Sequence, residues 1–361
     1  IRLGRMAKPM KPGAQSKQKD LSNYRPMPEK FISMSINNIS VGVVGGAGYT
    51  GGELLRLLVL HPNVNIDFIY STTRAGKAVS ETHTDLMGVL DMPFSAALNQ
   101  EVDVLFLCLG HGNSAAFLHD NAVNDNTKII DLSNDFRLKD DHDFMGRSYV
   151  YGLTEVNKEK IKSAQAIANP GCFATAIQLA LLPLAGTKKL TQDVHINAIT
   201  GSTGAGAVPS ATSHFSWRNN NVSYYKPFVH QHLGEIGETI AQEQGSNAKL
   251  HFLPIRGNFT RGIFATAYTS FDGSLEDAFA IFEGYYKDCP FTFVSRAPLA
   301  LKQVVNTNRC LVHLHLHEGQ LLVTSIIDNL LKGASGQAIE NMNLMFGLEQ
   351  TTGLHLKSTS F

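Results

Sequence analysis

Residues 41–52 leave this chain few folds to adopt. The apolar run Val41-Gly42-Val43-Val44 reads as a buried strand, Gly45-Gly46-Ala47-Gly48-Tyr49-Thr50-Gly51-Gly52 as a turn, and residues 53–60 as a helix. In that order they open a βαβ unit, whose turn directs backbone N–H groups and a helix dipole at a pyrophosphate. Gly45, Gly48 and Gly51 are spaced Gly-x-x-Gly-x-x-Gly, a variant of the dinucleotide fingerprint, and the strand before and helix after give the match its weight. Tyr49 and Thr50 fall in the same turn and join the three glycines as candidate cofactor contacts.

The next strand, Val64–Tyr70, bears on which nucleotide is bound. An acidic residue at its tip would bind the ribose hydroxyls of NAD, but the tip reads Ser71-Thr72-Thr73-Arg74, and hydroxyls with an arginine suit the 2′-phosphate of NADP. Asp67 lies inside the strand rather than at its tip. Strands over 102–109 and 128–132 end in Gly110-His111-Gly112 and Ser133-Asn134-Asp135-Phe136-Arg137, both at carboxyl strand ends where open parallel sheets bind ligands.

A chain of 361 residues, 43% hydrophobic and 17% charged, is long enough for a large core and two domains. The expected class is α/β, a Rossmann-type domain followed by an α+β substrate domain on a mainly antiparallel sheet, read from strand-like runs at 194–199, 251–253, 262–268 and 310–316 with helices between. Formal net charge is +0, so no whole-molecule basic field argues for nucleic acid, and no apolar run reaches membrane-spanning length. Cys108, Cys172, Cys289 and Cys310 have neither disulfide nor metal spacing, which suits a reducing cytoplasm. Residues 1–38, rich in Lys, Arg, Pro, Gln and Ser, are expected to be an extension outside the fold; a basic, acid-poor leader also fits an organelle transit peptide.

Asn169-Pro170-Gly171-Cys172-Phe173-Ala174-Thr175 puts one cysteine after a Pro-Gly turn and at the head of an apolar helical run. Unpaired N–H groups and the dipole at a helix start favour thiolate over thiol, so Cys172 is expected to be a nucleophile; the competing reading is a buried structural cysteine. Its proton-transfer partner is sought in His230-Gln231-His232. Ile236 and Ile240 mark a helical face beginning just after His232, and a histidine at a helix start has its charged form disfavoured. In an extended approach His230 and His232 point the same way, and two surface histidines would read identically. The loop Thr200-Gly201-Ser202-Thr203-Gly204-Ala205-Gly206 either wraps an anion or is simply flexible. His313, His315 and His317 share a strand face as solvent-facing alternation does, so no metal site is expected. Cys108 and Cys310 read as core, Cys289 as a loop residue.

Taken together the chain resembles the N-acetyl-γ-glutamyl-phosphate reductases of the aspartate-semialdehyde dehydrogenase superfamily. The resemblance runs from about Ile39 to Leu354 and rests on the glycine turn, Asp131-Leu132-Ser133-Asn134-Asp135-Phe136-Arg137-Leu138, Tyr151-Gly152-Leu153 and Asn169-Pro170-Gly171-Cys172. It rests also on His230 to Ile236, Thr260-Arg261-Gly262, and Asn329-Leu330-Leu331-Lys332-Gly333-Ala334-Ser335-Gly336-Gln337-Ala338.

The resemblance implies a nucleotide domain over 39–168 completed by 327–361, a catalytic domain over 169–326 that also serves dimerisation, and a dimer or tetramer. It implies Asn329 and Gly333 near NADP, and reduction of an acyl phosphate through a thioester on Cys172, with His232, or failing it His230, moving protons. Arg137 and Arg261 are the candidates for phosphate and carboxylate, Ser202 for a further hydrogen bond, Asn169 for the substrate. Two departures stand out: Gln231 occupies a position where the family usually has Arg, and Gly110 one where it usually has Pro. An aspartate-semialdehyde or glyceraldehyde-phosphate type dehydrogenase and a non-catalytic NADP or redox sensor remain the rival readings.

Overall fold

The computed structural model describes residues 38–359, and the expectations for the leader fall on residues outside these. The first sheet contains β1 (Ile39–Val44), β2 (Val64–Tyr70), β3 (Val104–Leu107), β4 (Lys128–Asp131), β5 (Asp143–Phe144), β6 (Arg147–Tyr151) and β7 (Ala166–Ala168). Their order is β2-β1-β3-β4-β7-β6-β5, parallel throughout except between β5 and β6. The second sheet contains β8 (Val194–Thr200), β9 (Ser223–Tyr224), β10 (Leu250–Arg256), β11 (Ile263–Ser270), β12 (Thr292–Ser295), β13 (Cys310–His317) and β14 (Gln320–Ile327). Its order is β12-β13-β14-β11-β8-β10-β9, antiparallel except at β12–β13 and β8–β10. The helices are α1 (Tyr49–Leu58), α2 (Asn113–Asp120), α3 (Thr154–Lys162), α4 (Cys172–Gly186), the single turn α5 (Phe215–Arg218), α6 (His232–Gln244), α7 (Leu275–Tyr286) and α8 (Gly336–Met345).

The period of two along a strand decides which core each residue joins. In the first sheet Val41, Val43, Val104, Phe106 and Ile130 pack with Leu54 and Leu58 of α1 and Ala338, Ile339 and Met342 of α8. Their neighbours Leu105, Leu107 and Ile129 face the other way, toward Leu118 of α2. Burial on both faces explains why these strands read as unbroken apolar runs. The second sheet turns Ile196, Ala198, Ala265, Ala267, Val312 and Val323 toward α4, which is buried all round from Phe173 to Ala185. A helix apolar on every side has to lie inside the molecule, and this places Cys172, its first residue, at the sheet end where α4 emerges.

α1 begins at Tyr49, about a turn earlier than its sequence suggests, with Gly51 and Gly52 inside it. Glycine costs a helix about 1 kcal/mol relative to alanine, yet a Cβ on Gly51 would lie 2.7 Å from Gly46 Cα and 2.8 Å from Gly45 O. The close approach of turn and helix therefore overrides propensity. After β14 the chain makes a wide π-type turn, Leu331–Ser335, before entering α8 and the first sheet's core.

Candidate active site

A cleft of about 530 Å³ opens at the carboxyl ends of the first sheet's strands, where the order reverses between β1 and β3. Gly48, Tyr49 and Thr50 line one wall, and Cys108 to His111, following β3, line the next. Gly45 holds φ at +78°, which lets the turn fold back over Cys108 O. Gly48 caps α1 without a side-chain acceptor, and the first turn carries no acid, so its N–H groups remain available to an anion. Gly45 and Gly51 shape this turn from behind rather than lining the cleft. Ser71 is buried at the tip of β2 and Arg74 is exposed beyond it; neither lines the cleft. Asp67 faces solvent and accepts from Asn99 Nδ2 at 2.8 Å, away from the site. Cys108, half-buried, packs against the first sheet's core as expected and also lines the cleft beside the glycine turn.

Cys172 sits half-buried at the first position of α4, facing the cleft. The helix start is not the only influence on this thiol. Burial pushes the thiol up to about 11, and the Phe173 N–H and the Arg137 charge offset this only in part. A group that is a thiol at neutral pH needs a base to take its proton. His230 and His232 both line the cleft, with ring centroids 4.6 Å apart at 76°. α6 starts at His232 itself. Burial first, then neighbouring positive charge, holds His230 near 4 and His232 well below the usual histidine value, so both are neutral. The His232 ring packs against Gly171, where an added Cβ would come within 2.6 Å of Cε1, and His232 Nδ1 is buried without a partner among the described residues. His230 Nδ1 instead accepts from the His232 backbone N–H at 3.2 Å. Of the two, His232 is the one beside the cysteine turn.

Beneath these groups lies a hub that residue-by-residue reading missed. Glu235, 3% exposed, accepts from Arg137 Nη1 at 3.1 Å, the Tyr151 hydroxyl at 2.6 Å and the Gly171 N–H at 3.0 Å. It lies one turn along α6 from His232, whose Nε2 is 3.9 Å away. Tyr151 also donates to Gln178 Oε1 on α4. The carboxylate thus joins the cysteine turn, the histidine helix and Arg137. The spacing His232-x-x-Glu235 on a helix was the available signal, since residues three apart share a face.

The remaining candidates divide. Arg137 lines the cleft, donating to Asn169 O at 2.8 Å and Leu132 O at 3.1 Å, with two N–H directions left over. Asn169 also lines it, but its side chain is engaged by Ala334 O and Asn341 Nδ2. Asn329 accepts from the Gly262 N–H at 2.7 Å and donates to Thr203 Oγ1 at 3.0 Å. Gly333 passes so close that a Cβ there would meet Cys172 Cβ at 2.9 Å. Ser202 is a correction: the loop forms a 3₁₀ turn, Ser202–Ala205, and Thr203 and Gly204, not Ser202, line the cleft. Arg261 is another. Its guanidinium lies outside the cleft, pairing with both Glu53 oxygens at 2.9 Å and with Asp328 at 3.0 and 3.1 Å. It ties the second sheet to α1 instead of reaching for a ligand. His313 donates from Nδ1 to Ser295 O at 2.9 Å, and His315 and His317 are exposed; none of the three lines the cleft.

The family model for the semialdehyde dehydrogenase NAD binding domain matches residues 40–164, and that for the semialdehyde dehydrogenase dimerisation domain matches 172–329. The N-acetyl-γ-glutamyl-phosphate reductase of Flavobacterium johnsoniae is 61% identical over 324 residues, 90% of this chain and 100% of that protein. That of Christiangramia forsetii is 57% identical over 325 residues, with the same coverage. Among solved structures, aspartate semialdehyde dehydrogenase II from Vibrio cholerae shares the fold at TM-score 0.64 and 17% identity, covering 86% of this chain and 98% of that one. Aspartate semialdehyde dehydrogenase with NADP from Candida albicans does so at TM-score 0.63 and 15% identity, with the same coverage. No helix of the described residues is long and apolar enough to cross a membrane. Matched by full-length relatives and by both domain models, the chain belongs to the N-acetyl-γ-glutamyl-phosphate reductase family, oxidoreductases of arginine biosynthesis that convert an acyl phosphate to an aldehyde with a nicotinamide cofactor.

Proposed function

We propose that the chain carries out the NADPH-dependent reduction of N-acetyl-γ-glutamyl phosphate to the 5-semialdehyde through a thioester on Cys172. The observation that carries this reading is the placement of the Cys172 thiol in one cleft with the uncapped start of α1 and the neutral His232. His232 takes the thiol proton. The Cys172 sulfur then attacks the acyl carbon, the carbon–oxygen bond to phosphate breaks, and phosphate leaves with its electron pair. Gly48, Tyr49 and Thr50 at the α1 turn would hold a nicotinamide cofactor, which would supply the hydride that reduces the thioester. The thiohemiacetal oxygen is held by N–H donors at the head of α4, and its collapse returns the thiolate and the aldehyde. His232 then hands the proton back to sulfur.

Arg137, steadied by Glu235, is suited to the departing phosphate through its two unused N–H groups. Ser71, Thr72, Thr73 and Arg74 at the tip of β2 supply hydroxyls and a guanidinium for the 2′-phosphate, supporting NADP over NAD. The nucleotide domain is assigned to 39–168 with 327–361, the catalytic domain to 169–326, and the enzyme to the cytoplasm as a homodimer or tetramer. The open face of the second sheet, where His195, His251 and Tyr268 stack at 4.8 and 5.1 Å, is available for that association.

Steady-state kinetics with N-acetylglutamate semialdehyde, its N-succinyl analogue and aspartate semialdehyde, each with NADP and NAD, test this reading. The highest kcat/KM is expected for the N-acetyl compound with NADP. A preference for aspartate semialdehyde would move the assignment to the sister activity.

A further inference from the structure

The cleft lining contains three permanent cations, Arg137, Lys226 and Arg256, and no Asp or Glu. Arg137 has its charge met by Glu235 at 3.1 Å. Lys226 and Arg256 have no carboxylate partner among the described residues, so the positive charge on their side of the cleft is uncompensated. Arg256 stacks on Tyr225, its guanidinium carbon 4.7 Å from the ring centroid, and its Nε is buried without a hydrogen-bond partner among the described residues. Lys226 Nζ donates to Gln231 Oε1 at 3.1 Å, a neutral acceptor that fixes the ammonium without cancelling its charge. The segment that presents it is bent hard: Lys226 and Phe228, neither a glycine, hold φ at +44° and +63°. Backbone strain of this kind persists where surrounding structure holds it in place, and it clusters at ligand sites.

We infer that Lys226 and Arg256 form a carboxylate subsite, held in shape by Gln231 and Tyr225, that takes the α-carboxylate of the substrate. This rests on the substrate reading above. The phosphate is bonded to the carbon that sulfur attacks, and the guanidinium whose charge acts on the Cys172 thiol is Arg137. The α-carboxylate, at the far end of the glutamyl chain, falls to the second pair of cations. The Lys226–Gln231 contact also gives this chain a cation at a site where Gln231 itself carries none.

Two measurements test it. In the reverse reaction, Lys226→Met is expected to raise KM for N-acetylglutamate semialdehyde about tenfold or more, the loss typical of a hydrogen bond to a charged group, while KM for inorganic phosphate stays unchanged. Lys226→Arg should restore most of it. By calorimetry, which needs no turnover, the wild type should bind N-acetylglutamate in preference to its α-carboxamide, and Lys226→Met should bind both alike. A rise in KM for phosphate alone, or equal binding of acid and amide by the wild type, would overturn the subsite. Failure of the wild type to turn over the semialdehyde would instead count against the substrate reading, with the binding preference still deciding the subsite.

Discussion

At Cys172 two effects of one location oppose each other. The helix start and Arg137 stabilise the thiolate, and burial disfavours it more strongly, leaving the group near 11. Alkylation of Cys172 by iodoacetamide, followed by peptide mass spectrometry, is therefore expected to accelerate continuously from pH 7 through pH 10. A plateau near neutrality would mean that the helix dipole wins after all. With His232 held neutral well below the usual histidine range, kcat/KM should not fall on acidification through pH 6.5, where an ordinary histidine would protonate. A fall centred there would contradict that assignment. Cys172 and His232 were legible because each announces itself locally, through a Pro-Gly turn or a helix start. Burial was not legible, and at the thiol it opposes the helix start.

The elements around the site were read well where a pattern of two or 3.6 ran long enough. β2 was bounded correctly as Val64–Tyr70, and the doubly covered first sheet followed from its apolar runs. Short strands such as β5, β7 and β9 offer too few residues for a period to show, and β14, with Gln320, Thr324 and Ser325 irregularly placed among its apolar residues, has no regular alternation to mark it. Pairings between distant elements were also invisible. Arg261 looked like a ligand residue, but its partner Glu53 is 208 positions away. Arg261→Met leaves buried Asp328 without a cationic partner among the described residues and Glu53 with Arg56 alone, and is expected to cost about 3–5 kcal/mol in denaturant unfolding, with KM for substrate little changed. A selective rise in KM at intact stability would return Arg261 to the substrate. The π-type turn holding Gly333 against Cys172 gives a second test. Gly333→Ala would place a methyl 2.9 Å from Cys172 Cβ, and kcat should fall at least about tenfold, since catalytic geometry tolerates little displacement.

Over the whole molecule, acid weakens the fold. The unfolded chain protonates its histidines near 6.5, but native His230 does so only near 4 and His232 well below its usual value, so the unfolded state binds more protons across that window and stability declines as pH drops from 6.5 toward 4. His61 and His111 act in the same direction. Asp131, held near 6 by burial, opposes them by taking its proton earlier in the native state than its usual 3.8. With four histidines against one aspartate, Tm should fall between pH 7 and pH 5, and His230→Asn should flatten that slope; a Tm that rises on acidification would contradict this balance. The central claim joins both sheets through one sulfur, and reduction of NADP by N-acetylglutamate semialdehyde tests it most directly, run with and without inorganic phosphate in wild type and Cys172→Ser. The account expects a phosphate-dependent rate in the wild type and a loss of roughly 1,000-fold or more in the variant, as for removal of a nucleophile, with NADP still bound. Turnover that ignores phosphate, or that survives in Cys172→Ser, would contradict it.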